Sequence, residues 1–313
     1  MPNPPPPVDM CAWDSYAYWR ADGARAKQCW YVSFCLMMSS VQDRLTGLAL
    51  AESENLNWAT TAFYYSAMHA GRLLFFVCSG DYPTQHRDMN AILEGGNGRA
   101  KVDWLKKFHG YIGTPGTAGG VEEKSTAATD LRASLMNAVA ASCPGSDAAV
   151  QRFMPLLPKF KNLRNDSNYE ALLVAHERNH FLVTDTFRKL TCAADKASAI
   201  SVDMAIGLYL EHVKSAQQFQ AEHGRFLSAH RLYLRGRFEQ SLSEKFKGSP
   251  RALAVLREAI AALATPDNPP GEPGSQEVEA FLDPIMYGQF GQKQGLMDRW
   301  ERDVASLEAV VGV

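Results

Sequence analysis

Apolar side chains that recur every three or four residues constrain the fold of this chain more than any other feature. The first long run consists of Trp30, Phe34, Met37, Val41, Leu45 and Leu48, at steps of four, three, four, four and three. This spacing places them on one face of a long helix that reaches about Ala51. No segment shows the alternation of Val, Ile and Thr that is typical of a sheet. The sequence therefore predicts an all-α fold.

Interruptions of the helical pattern divide the chain into three predicted parts. Residues 1–11 are rich in proline and are expected to form a disordered lead. Residues 12–247 are expected to form the main helical domain, with a flexible insertion at about residues 113–127, where Gly, Ser and Thr break the periodicity. Residues 248–313 are expected to form a C-terminal helical extension.

Local signals mark the ends of individual helices. Helical spacing covers Ala148–Leu163 and returns from Tyr169 onward, and the segment RNDSN between them is predicted to be a turn. Ser249 and Pro250 suit the N-cap and N1 positions of a further helix, which is expected to end near Ala264.

Composition and charge restrict the class of protein. The 32 Lys and Arg residues nearly balance 34 Asp and Glu residues, so any site for a polyanion must be local. The six cysteines, at positions 11, 29, 35, 78, 143 and 192, include no C-x-x-C pair, which favours free thiols in a reducing cytosol. We find neither a signal-peptide pattern nor a run of about 18 apolar residues, so a cytoplasmic protein without a membrane segment is expected.

The segment from Trp58 to Gly80 combines an apolar helical pattern with polar groups. Tyr65, His69 and Arg72 follow one another at steps of four and three, so they project from one side of the helix. Burying an imidazole and a guanidinium group costs free energy unless both are paired. These side chains are therefore predicted either to form a polar network that fixes helix register or, with His86, to line a pocket for a nucleotide or an RNA end.

This segment, read together with QHRDM at Gln85–Met89 and FKNLRNDSNYEALL at Phe160–Leu173, resembles the HEPN family of small helical prokaryotic proteins. The resemblance covers roughly residues 25–190. Arg164 and Tyr169 are similar to the R-x-x-(x)-D-Y element of the family's non-nuclease branch. The resemblance implies a HEPN-like helical bundle. Its ligand-binding residues would be Tyr65, His69, Arg72, His86, Arg164 and Tyr169.

Nuclease members of that family carry an Arg and a His separated by four to six residues, and they cleave RNA without a metal. After Arg164 those positions hold Tyr169, Glu170 and Ala171, so the motif is degenerate. A tyrosine can donate a hydrogen bond, but it does not act as a base near neutral pH. The sequence therefore favours a hydrogen-bonding role for Arg164 and Tyr169 over catalysis.

A second Arg and His pair, Arg225 and His230, has the nuclease spacing but lies beyond the place that the family motif occupies. It belongs to a basic stretch that extends to Arg251, which is predicted to be either a solvated helix face or a patch that binds phosphate or a partner. Arg164, Arg225 and His230 are thus the catalytic candidates for a ribonuclease.

The sequence HERNH, from His176 to His180, matches the H-E-x-x-H spacing that places two imidazoles on one helix face to bind zinc beside a glutamate base, here Glu177. Val183 stands where the longer zinc-protease motif has glycine, and Arg178 and Asn179 fill positions that are usually uncharged there. A surface helix is therefore favoured over a zinc site made by His176 and His180.

The resemblance implies a regulatory or nucleotide- or RNA-binding subunit of a prokaryotic toxin–antitoxin or antiphage defence complex, with no cofactor. It implies as partners a second copy of the chain in a homodimer, or a defence effector or nucleotidyltransferase in a hetero-complex. Two enzymatic alternatives stay open, a metal-independent ribonuclease and a zinc-dependent hydrolase.

Overall fold

The computed structural model describes residues 23–79, 82, 86–93, 135–140, 143, 145–169, 181–219, 236, 238–263 and 305. The principal helices in these ranges are α1 Gly23–Glu52, α2 Leu56–Ser79, α3 His86–Leu93, α4 Asp147–Phe153, α5 Leu156–Tyr169, α6 Phe181–Phe219 and α7 Pro250–Leu263. Residues 135–140 and 238–245 are also helical, and no described residue lies in a strand. The predicted all-α fold is therefore confirmed.

Helix α2 lies at the centre of the bundle. It packs against α1, α6, α5 and α3. Every residue from Leu56 to Cys78 is buried except at five positions. A helix that is apolar on nearly all sides is expected to be covered by other helices, and α2 is the helix that the other elements surround.

Small residues let α1 approach α2 closely. A Cβ atom placed on Gly47 would lie 2.5 Å from the ring of Phe63, which is closer than side chains pack. Nearby, the hydroxyl group of Ser40 donates a hydrogen bond of 2.9 Å to the carbonyl oxygen of Ser66. The two helices can therefore cross closely because Gly47 has no side chain, and the hydrogen bond of Ser40 joins them at a second point.

Helix α6 connects the other side of α2 to α1 and α7. The hydroxyl groups of Thr60 and Thr191 lie 3.3 Å apart between α2 and α6. Asp195 of α6 accepts hydrogen bonds from Arg44 at 3.3 Å and from Arg251 at 3.0 Å. One carboxylate of α6 thus contacts both neighbouring helices.

Helix α7 begins where the sequence predicts. Its first residue is Pro250, and the Ser249 hydroxyl oxygen accepts a hydrogen bond of 3.2 Å from the backbone N–H of Ala252, so the predicted N-cap is confirmed. Glu52 of α1 accepts hydrogen bonds from the hydroxyl group of Ser249 and, at 3.0 Å, from the backbone N–H of Arg251. The last residue of α1 therefore holds the start of α7.

These contacts place α7 with the main bundle. The compact unit that contains α1 to α7 covers residues 10–268. The sequence division at residue 248 and the boundary at residue 268 differ because α7 is packed against α1 and α6. The second unit, residues 1–9 with 269–313, lies outside the described residues except at residue 305, as do the predicted proline-rich lead and the insertion at 113–127.

Two local predictions are wrong. The predicted helix Ala148–Leu163 is broken at Met154 and Pro155, because proline lacks the N–H group that would continue the helical hydrogen bonds. The predicted RNDSN turn is instead the last part of α5. Contacts of Phe160 and Arg164 with α2 hold α5 in place there and outweigh the weak helix propensity of Asn, Asp and Ser.

Candidate functional site

One stripe of α2 remains accessible to solvent. Its members follow one another at steps of four, three, four and three, and they are Trp58, Ala62, Tyr65, His69 and Arg72. Trp58 and Tyr65 are the exposed large apolar side chains of the described residues, with 53% and 38% of their surface accessible. The predicted common side of Tyr65, His69 and Arg72 is therefore observed, and we call these five residues the α2 stripe.

Helix α3 begins at His86, which lies against two consecutive tyrosines of α2. The hydroxyl group of the fully buried Tyr64 lies 2.9 Å from Nδ1 of His86. The ring of Tyr65 meets the ring of His86 edge to face, with centroids 5.5 Å apart. Burial lowers the pKa of His86, and the nearby Arg164 and Arg72 add to that effect. A neutral imidazole is thus held beside the α2 stripe.

Helix α5 brings a guanidinium group to the same tyrosine. The central carbon of Arg164 lies 5.0 Å from the centre of the Tyr64 ring, a cation–π distance. Burial raises the pKa of Tyr64, while Arg164 and Asn90 oppose that rise. Arg72 makes a similar contact at the far end of the stripe, 5.9 Å from the centre of the Tyr82 ring. Two arginines therefore lie among aromatic rings around the accessible part of α2.

His69 pairs with a carboxyl group of α1. Its Nε2 atom lies 3.4 Å from Oδ2 of Asp43. Burial raises the pKa of Asp43 to about 6, against the opposing effect of Lys245, and burial lowers the pKa of His69 to about 4, with help from Arg72 and His86. Near neutral pH these shifts leave His69 neutral and Asp43 ionised, so the contact joins an imidazole to a carboxylate. The other ring nitrogen, Nδ1, is buried and has no hydrogen-bond partner among the described residues.

Asn90 lies one helical turn after His86 on α3, at 2% exposure. It is close enough to the Tyr64 hydroxyl group to lower the pKa of that group. Within the described part of the chain, neither its amide oxygen nor its amide nitrogen makes a hydrogen bond. The Asn90 amide therefore lies within reach of the Tyr64 hydroxyl group, in a geometry that falls short of a full hydrogen bond.

The structure brings together Tyr65, His69, Arg72, His86 and Arg164, as one side of α2 with its neighbours α3 and α5. Sequence reasoning missed Tyr64, Asn90 and Asp43. Asn90 could have been found, because it follows His86 by four residues and so shares its helix face. Asp43 carries no such signal, since its partner lies on a different helix.

The remaining predicted site residues lie outside the described part: the Tyr169 side chain, His176, Glu177, His180, Arg225 and His230. Tyr169 itself is the last residue of α5. Among the side chains that are described, no group of three or more His, Cys, Asp or Glu residues is placed to hold a metal ion. In the same part of the chain we find no helix long and apolar enough to cross a membrane.

Comparison with family models, with curated proteins and with solved structures finds no match to this chain. The resemblance to the HEPN family therefore stays a prediction.

Proposed function

We propose that this chain is a binding subunit that takes a nucleotide or the end of an RNA strand at the junction of α2, α3 and α5. The observation that carries the proposal is the contact of Arg164 and His86 with the tyrosine pair Tyr64 and Tyr65, on the side of α2 that also carries Arg72. It combines cations and accessible aromatic surface in one place.

Each part of a nucleotide has a suitable group in this cluster. Arginine recognises phosphate through a fork of N–H donors, so Arg72 and Arg164 suit the anionic end of the ligand. The exposed ring of Tyr65 offers a face on which a base can stack. The chain has a formal charge of −2, so attraction of a phosphate must arise from these local cations.

A ribonuclease is the second candidate, and one observation favours it. His86 and Arg164 contact the same tyrosine ring, so an imidazole lies close to this arginine although the sequence motif lacks one. The Nδ1 atom of His86 is engaged by Tyr64, and its lowered pKa disfavours the protonated form that a general acid needs. Binding is therefore the first candidate.

The resemblance to the HEPN family supports a place for this subunit in a prokaryotic toxin–antitoxin or antiphage defence complex. On the same ground we propose a homodimer, or a hetero-complex with a defence effector or nucleotidyltransferase. Sedimentation of the purified chain, alone and with the product of a neighbouring gene, tests both forms. A monomer under both conditions would contradict this part of the proposal.

Calorimetric titration with ATP, GTP and a 5′-phosphorylated RNA tetramer tests the binding function. We expect at least one of these ligands to bind, and Arg164→Ala and Arg72→Ala to weaken that ligand at least about tenfold through loss of a charge-assisted contact. Arg152→Ala, which changes an exposed arginine of α4, is the matched control and should bind like the unmodified chain.

Thermal melts without ligand show whether the arginine variants still fold, and a ligand that binds only the folded chain raises the midpoint. Binding that is unaffected by either site variant would contradict the proposed site. Cleavage of the RNA in the presence of a chelator, lost in His86→Ala, would favour the ribonuclease instead.

A further inference from the structure

We propose that the α2 stripe binds a single-stranded oligonucleotide, whose bases stack on Trp58 and Tyr65 and whose phosphates lie on the side of α5. This inference rests on the proposed function and deepens it, because it names a polymer rather than a free nucleotide as the ligand. It assigns a role to Trp58, which lies outside the cluster of tyrosines, histidines and arginines.

The exposure of Trp58 and Tyr65 contrasts with the rest of α2. The helix buries every other large apolar side chain between Leu56 and Cys78, while these two rings present 53% and 38% of their surface to solvent. Exposed aromatic rings in a row are the platform on which proteins stack successive bases of a single strand. A sequence-tolerant platform of this kind needs ring faces and few specific hydrogen bonds.

The two rings lie too far apart for a single nucleotide to contact both. Seven residues of helix separate Trp58 from Tyr65, a rise of about 10 Å. Stacked nucleotides advance by about 3.4 Å each along a strand, so about three steps separate bases that reach the two rings. Only an oligomer of about four nucleotides or more can therefore use the whole stripe.

The charges on α5 favour a polyanion along one edge of the stripe. Leu157, Lys161 and Arg164 share one face of α5, and this face turns toward α2, because Leu157 lies next to Gly71 and Arg164 lies over Tyr64. The sequence of α5 carries three cations, Lys159, Lys161 and Arg164, and one carboxylate, Asp166. The phosphate chain of a bound strand would be attracted to this edge.

The opposite edge of the stripe is formed by α1 and carries Asp43, 3.4 Å from His69. An ionised carboxylate repels phosphate, and Lys245 offsets that charge only from nearby, whereas α5 carries an excess of cations. The phosphates of the strand are therefore drawn toward α5 rather than toward α1. The bases then lie above the rings and the backbone lies toward Lys161 and Arg164.

An exposed aromatic stripe could instead bind a second copy of the chain. The Nδ1 atom of His69, which has no hydrogen-bond partner among the described residues, favours a nucleic acid, because an apolar partner surface would leave it unsatisfied. The edge of a base carries donors and acceptors that can satisfy such groups.

Fluorescence anisotropy with labelled RNA of one, four and eight nucleotides, and with a DNA octamer, tests the inference. We expect the RNA octamer to bind at least about tenfold more tightly than the mononucleotide, since it gains a second stacked base. Trp58→Ala should lower octamer affinity about tenfold and leave mononucleotide affinity unchanged. Trp58→Phe, which keeps an aromatic face, should retain most of the octamer affinity.

The outcomes separate this inference from the proposed function. Equal affinity for mononucleotide and octamer, or an octamer affinity that Trp58→Ala leaves unchanged, overturns the inference and spares the nucleotide site. Binding of neither ligand contradicts both proposals. Self-association that is lost in Trp58→Ala, measured by sedimentation, would assign the stripe to a second copy and overturn the inference. Equal affinity for RNA and DNA octamers supports stacking as the source of affinity, and a preference for RNA adds contacts to the 2′-hydroxyl groups.

Discussion

Asp43 of α1 and His69 of α2 lie in contact, and they change the stability of the fold in opposite directions as pH changes. The ordinary pKa of Asp43, 3.8, rises to about 6 in the folded chain, so folding binds a proton between these values and stability falls as pH rises through them. The ordinary pKa of His69, 6.5, falls to about 4, so stability is lost as pH falls through that window. Between about pH 4 and 6 the two effects offset each other.

Replacing Asp43 with asparagine should uncover the effect of His69. The new side chain keeps the size and polarity of the carboxylate beside Nε2 of His69, but it no longer titrates. We expect Asp43→Asn to be more stable than the unmodified chain at pH 7.5 and to lose about 2 kcal/mol more than it on acidification from pH 7 to 4.5. Urea denaturation across this pH range measures both changes.

Asp203→Asn is the control, because Asp203 is an exposed carboxylate on α6. Its stability should follow the unmodified chain at every pH. Parallel pH profiles for Asp43→Asn and the unmodified chain would show that burial does not raise the pKa of Asp43.

At this scale, the sequence predicts which side chains share a helix face but not which partners they meet. The steps of four and three between Tyr65, His69 and Arg72 were sufficient to place them together. The contact of His69 with Asp43 joins two helices, and the register between those helices depends on packing that no local spacing encodes.

The crossing of α1 and α2 depends on a glycine at the point of closest approach. Gly47 is buried opposite Phe63, and the ring leaves no room for a methyl group. In an open helix, replacing glycine with alanine normally stabilises by reducing the freedom of the unfolded chain. At a crowded position the steric cost is larger than this gain.

Gly47→Ala should therefore lower the free energy of unfolding by about 1–3 kcal/mol, since Phe63 or the whole of α1 must move. Gly207→Ala is the matched control in α6, where a new Cβ would meet nothing within 4 Å. This variant should gain about 0.5–1 kcal/mol. Denaturant titration of both variants makes the comparison, and a gain in stability for both would contradict the close approach at Gly47.

The start of α7 and the end of α5 show when local signals suffice. Ser249 and Pro250 were sufficient to predict the start of α7, because capping is a local interaction between a side chain and the following N–H groups. The end of α5 was not predictable in this way. There the contact of Arg164 with Tyr64, about 100 residues earlier in the chain, keeps an unfavourable segment helical.

For the molecule as a whole, α7 is part of the bundle rather than an appendage. It buries Leu256, Ile260 and Leu263, and its first turn is bound by Glu52 of α1. Burial of an aliphatic side chain of this size contributes about 1.5–3 kcal/mol. Removal of the helix also exposes the apolar surface of α1 that it covers.

A chain that ends at residue 248 should accordingly melt at least about 10 °C below a chain that ends at residue 268, because about 1 kcal/mol shifts the midpoint by about 2–4 °C at this size. Circular dichroism at 222 nm follows both transitions. The chain ending at residue 268 is the control for loss of residues 269–313. Equal midpoints for the two chains would place α7 outside the cooperative unit.

The near-complete burial of α2 has a consequence for tolerance of mutation. In a library of all single substitutions, packing alone should make most of its 24 positions intolerant, in a pattern that repeats every three or four residues. The α2 stripe is the exception, since Trp58, Ala62, Tyr65, His69 and Arg72 face solvent at least in part. At these five positions, a substitution can abolish activity without unfolding the chain. Such a substitution must therefore affect what the protein recognises.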